Sequence, residues 1–117
     1  MPGDTSIDEV IEVLDDDELY RRIHPMHQRP GGKITSAAFK HKKPISVDIA
    51  RLTTPERTKS ENSKYWVASI LTGFIRSLDL MVLHKPLTSN NAHAEISGNF
   101  TTSKSRELAR SAHIVLE

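Results

Sequence analysis

The 117-residue chain contains no cysteine. That single absence removes disulfides, thiolate metal sites, iron–sulfur clusters and cysteine nucleophiles. Aromatic side chains make up only 5% of the sequence, so stacking on nucleic-acid bases would fall to Tyr20, Phe39, Tyr65 and Trp66. Long hydrophobic runs are missing too. The longest near-apolar stretch, 66–75, is broken by Ser69, Thr72 and Gly73, well short of the about 20 apolar residues a membrane span needs. Met1-Pro2-Gly3-Asp4-Thr5 has no basic region leading into an apolar run, so a secretory leader is not indicated. The expectation is a cytoplasmic protein without membrane association, in which the Asn99-Phe100-Thr101 glycosylation pattern has no role. Phosphate-binding glycine loops of the Walker and dinucleotide types are absent, as is the nucleophile elbow of serine hydrolases. His93-Ala94-Glu95 matches half of a zinc deaminase signature, but the other half requires cysteines. No resident metal or cofactor is expected.

What is present is ordinary globular composition, 37% hydrophobic and 26% charged, in a length that suits one domain able to bury its own core. The net charge of +1 conceals an uneven distribution. Residues 1–18 carry eight acids and no Lys or Arg, leaving 16 basic against 7 acidic side chains in 19–117, a formal +9. The chain thus divides into an acidic N-terminal segment, 1–18, and a basic body, 19–117. A basic body attracts polyanions and an acidic arm competes with them.

Local patterns give the fold. Ser6-Ile7-Asp8-Glu9 is a capping box, and Ile7, Val10, Ile11 and Leu14 follow at helical spacing, predicting a helix over 7–15. Alternation predicts strands at 19–24, 33–39 and, most clearly, 45–50, where Ile45, Val47 and Ile49 share one face. Thr54-Pro55-Glu56 is a helix start. Strands follow at 66–71, 80–83 and 92–96, with helices at 72–78 and 103–112. The predicted class is α+β, one domain: a mixed or antiparallel sheet of five to six strands with three to four helices. Its predicted core contains Ile45, Val47, Ile49, Val67, Ile70, Val82 and Leu108.

Candidate chemistry gathers in two places. Arg21 and Arg22 on the first strand, with Lys42 and Lys43 in the basic turn before Pro44, are candidate contacts to the phosphates of a nucleotide or non-sequence-specific nucleic acid. Because Arg21 and Arg22 point to opposite faces of a strand, only one should enter a pocket. His84 and His93 flank a loop holding Asn90 and Asn91; as acid and base they could serve RNA cleavage. The run Leu19-Tyr20-Arg21-Arg22-Ile23, then Gly31-Gly32-Lys33-Ile34-Thr35-Ser36, then Pro44 to Ala50 and Thr54-Pro55-Glu56, resembles the opening layout of RES-type toxins. These are small bacterial proteins with an ADP-ribosyltransferase-like fold that consume NAD. The resemblance covers about residues 19–61. It implies that Arg21 or Arg22 meets the NAD phosphates and that Ser36 lies near the nicotinamide ribose. Ile34-Thr35 stands where that family has an aromatic residue and Asn, and the segment before Glu61 lacks the apolar character expected ahead of its catalytic acid. The leading expectation is a small binding or accessory module with a basic surface, its partner a protein or a phosphate-bearing polymer. The alternative is an enzyme acting on NAD or RNA through Ser36, His84 and His93.

Overall fold

The computed structural model describes residues 10–40, 43–61 and 63–117. Among these residues eight strands are joined by three short helices: β1 (Glu18–Ile23), β2 (Gln28–Arg29), β3 (Lys33–Ile34), β4 (Ile45–Ile49), α1 (Pro55–Lys59), β5 (Trp66–Leu71), α2 (Thr72–Ser77), β6 (Met81–His84), β7 (His93–Ser97), α3 (Thr102–Ser111) and β8 (His113–Leu116). Six strands form one sheet in the order β6-β7-β4-β1-β5-β8, every neighbouring pair antiparallel, and β2 with β3 makes a separate two-stranded ribbon. This is the α+β architecture expected from the sequence. Among the described residues no helix is long and apolar enough to cross a membrane.

Alternation explains the core. Ile45, Val47 and Ile49 are all buried while Ser46 and Asp48 between them are not, as a pleated strand with one packed face requires. Register carries the same face across the sheet: Leu19 sits opposite Ile49 and Ile70, and Val47 opposite Ala94. On this face lie Leu108 of α3 and the turn Ser36–Phe39, in one cluster with Phe39 fully buried. Ser105 of α3 donates to the Phe39 carbonyl at 2.9 Å, which fixes the turn to the helix. Residues 36–39 were expected to continue a strand. They form a 3-10 turn instead, because Ala38 and Phe39 both enter the core and an extended chain would send them to opposite sides. Val67 is buried as expected, but it lies outside the main cluster. Its register pairs it with Arg22, placing it on the second face of the sheet, the one that carries Tyr20, Ser46 and Asp48.

That second face is only half covered. Helix α1 packs over β1, β5 and β8. It is capped by Thr54, whose Oγ1 accepts from the Arg57 amide, with Pro55 at its first position. Among the described residues the half formed by β4, β7 and β6 is left open.

The helix expected over 7–15 is absent from residues 10–15, which carry no regular secondary structure and end in a turn at Asp15–Asp16; residues 7–9 lie outside the described residues. One long-range bond and one local bond take amides a helix would have used. The Ile11 amide donates to His84, the Leu14 amide to the Asp17 carboxylate. Val13 enters the core at 2% exposure. Arg51 holds Asp17 at 2.7 Å and Arg76 holds Asp15 at 2.7 Å, so part of the acidic run neutralises specific arginines of the body. Gly73 allows the close approach: its amide donates to the Asp15 carbonyl at 2.8 Å, and a Cβ there would lie 3.1 Å from that oxygen.

Candidate functional site

On the open half of the sheet lies a groove of about 870 Å³. Its floor is the polar register of three strands, Tyr20 and Arg22 on β1, Ser46 and Asp48 on β4, and His93 on β7. One wall is α1 with Arg57 and Thr58, and the other is the loop 85–92 with Asn90. Asp48 ties the walls together. Its Oδ2 accepts from Thr58 at 2.7 Å and its Oδ1 from the Asn90 amide at 2.8 Å. With both oxygens engaged, this carboxylate sets the groove width. Asn90 is itself held by the loop, where Leu87 and Asn90 exchange backbone hydrogen bonds at 3.0 Å.

Arg21 enters from the other side of the sheet. Strands β1 and β4 pair only at Leu19–Ile49 and Tyr20–Asp48 and then diverge. The guanidinium fills the split, donating to the Ser46 carbonyl at 3.0 Å and the Ala38 carbonyl at 3.2 Å. It thereby replaces ladder bonds that the divergence removed. Its Nε is buried without a partner, and Arg21 also lines the groove. Burial, with the Arg22 charge beside it, lowers its pKa to about 10. None of the ion pairs among the described residues involves Arg21, Arg22 or Arg57. Arg22 is exposed, with its guanidinium 5.8 Å from the Tyr65 ring centroid.

His93 is oriented by the chain. Its Nδ1 lies 2.8 Å from the Lys85 carbonyl. A carbonyl can only accept, so Nδ1 carries a proton, and in the neutral ring Nε2 then has the free lone pair. Ser46 Oγ lies 3.3 Å from that Nε2. The Asp48 carboxylate, directly across the β4–β7 ladder from His93, is turned to Thr58 and Asn90 instead.

The candidates drawn from the sequence fall in different places. His93 and both Arg21 and Arg22 line the one groove, where strand alternation predicts only one of the two arginines. His84 is on the core face, 3% exposed, its Nδ1 accepting from Ile11 at 2.9 Å and its Nε2 donating to the Asn91 carbonyl at 2.7 Å. Both ring nitrogens are committed, and its work is to hold the N-terminal segment and the groove loop. Ser36 lines a separate depression beside Lys33, Arg106 and Arg110. Lys43 is exposed and lines none of these depressions, and Lys42 lies outside the described residues. Ser46, Asp48 and Arg57 were not among the sequence candidates. The signal for the first two was the same alternation that marked Ile45, Val47 and Ile49 as core. Among the described residues no group of three or more His, Asp or Glu is arranged to hold a metal ion.

No protein-family model matches the sequence, and comparison with curated proteins and with solved structures finds no significant match.

Proposed function

We propose that this protein is a binding module whose groove takes a phosphate-bearing ligand, a nucleotide or the backbone of RNA. The observation that supports it is Arg21, a largely buried guanidinium with carbonyl partners, no carboxylate partner among the described residues, and an open groove beside it. Burying a cation without a counter-charge is costly. A phosphate in the groove would supply that charge, and Arg22 and Arg57 at the same groove add the paired donors that oxyanions favour. The groove's volume falls within the range of small-ligand sites.

Calorimetric titration at low salt with AMP, and separately with a mixed-sequence RNA 12-mer, tests this. Binding should weaken as salt rises. Replacing Arg22 or Arg57 with Ala removes one charged hydrogen-bond donor, roughly 1.5–3 kcal/mol, and should weaken binding about tenfold or more. AMP without RNA assigns a nucleotide site; RNA without AMP assigns a backbone site. If neither binds and neither raises the melting temperature, the reading is wrong, and a protein partner becomes the better account of an accessory module. NAD belongs in the same series: nicotinamide release would favour the NAD-consuming alternative.

A further inference from the structure

The Ser46–His93 pair has the polarity of a nucleophile and its base. The Lys85 carbonyl fixes the proton on Nδ1. Nε2 is then the only ring atom that Ser46 can meet, and the contact can only run from the hydroxyl to the nitrogen. In a nucleophilic serine site the base must be held in this tautomer, and a third group must hold it there. Here a backbone carbonyl does so, fixed in turn just past the end of the β6–β7 ladder, where the Lys85 amide donates to the His93 carbonyl at 2.9 Å. The 3.3 Å separation is that of a resting site, since such contacts tighten when substrate binds. Ser46 is exposed on the groove floor and its own carbonyl is held by Arg21. An ester phosphate at Arg21 and Arg22 would therefore stand next to the hydroxyl.

Resting on the binding reading above, we infer that Ser46 and His93 form a catalytic pair that cleaves phosphodiesters through a phosphoryl-serine intermediate. Ser46 Oγ attacks phosphorus as its proton passes to His93 Nε2. The bond from phosphorus to one ester oxygen breaks, and that oxygen leaves as an alcohol with the proton from Nε2. Water then attacks the phosphoryl-serine, giving its proton to His93, and Ser46 departs with that proton restored. The net change is phosphodiester plus water to phosphomonoester plus alcohol, with no change of oxidation state. The arginines stabilise the charge on the non-bridging oxygens.

The full chain is incubated with bis(4-nitrophenyl) phosphate, nitrophenol release is followed by absorbance, and the protein is weighed intact by mass spectrometry. AMP titration is run on the same preparations. Wild type should release nitrophenol and carry a nitrophenyl-phosphoryl adduct on Ser46. Ser46→Ala should lose the adduct and the turnover while keeping AMP binding and melting temperature. His93→Gln should lower the rate by about 100-fold or more. AMP binding without release or adduct overturns this inference and leaves the binding reading intact. Absence of both overturns both. Release that persists in Ser46→Ala without any adduct overturns the nucleophile assignment.

Discussion

The five-residue strand β4 contributes to both faces of the six-stranded sheet, and the two faces obey different rules. On one face Ile45, Val47 and Ile49 are closed off by α3 and the 36–39 turn, and nearly every neighbour is aliphatic. On the other, Ser46 and Asp48 stand beside a helix that stops short of covering β4, with arginines and a histidine around them. The filled face has one arrangement because packing density leaves no alternative. The open face is set by a few directional bonds, chiefly those of Asp48. Stability should therefore reside on one side of β4 and ligand chemistry on the other.

That contrast can be broken by substitution along β4 and its supports. Ile49→Ala should cost about 2–5 kcal/mol through lost burial and a cavity, measured by urea denaturation, whereas Ser46→Ala, one pleat away in kind, should change stability by no more than about 0.5 kcal/mol. Equal effects would mean that the faces are not distinct. His84→Leu should cost about 1–3 kcal/mol, because it leaves the Ile11 amide and the Asn91 carbonyl without partners. If it instead abolished ligand binding at unchanged stability, His84 would belong to the open face after all. Asp17→Asn should cost a similar or smaller amount. Burial alone would raise the Asp17 carboxyl, but the Arg51 hydrogen bond and the Leu14 amide outweigh it and hold its pKa below the ordinary value. A depressed carboxyl stabilises the fold fully above about pH 4 and loses that contribution as pH falls through its native value. The wild-type urea midpoint should therefore drop on acidification more steeply than that of Asp17→Asn. The smallest effect is expected at Arg22, exposed and outside any ion pair among the described residues. Arg22→Ala should leave stability within about 0.5 kcal/mol while weakening AMP or RNA.

The segment 10–17 shows where local reading fails. Its apolar spacing is a real helix signal, yet Val13 is taken by the core, the Ile11 amide by His84 and the Leu14 amide by the Asp17 carboxylate. Helix propensity is worth tenths of a kcal/mol per residue, and tertiary bonds override it. Deleting residues 1–18 would consequently remove core and ion-pair partners as well as negative charge, so charge-reversed variants at exposed Asp16 are the cleaner probe of competition with polyanions. Strand β8 escaped notice for a related reason. His113–Leu116 follows directly on α3, and its pairing with the edge of β5 is a tertiary contact.

Alternation and capping within the sequence were sufficient for β1, β4, β5, α1 and α3, for the α+β class, and for the burial of all seven expected core residues. These depend on signals a few residues apart, which the chain carries in itself. The groove depends on pairings between distant residues: Asp48 with Asn90, Arg21 with Ala38, His93 with Ser46. Only the sheet order brings β7 and β4 beside β1, and only the divergence of β1 from β4 gives Arg21 its place. Tertiary structure likewise withdrew His84 into the core and set Ser36 apart, because a side chain's chemistry is written in its identity but its access to a ligand is decided by what packs around it.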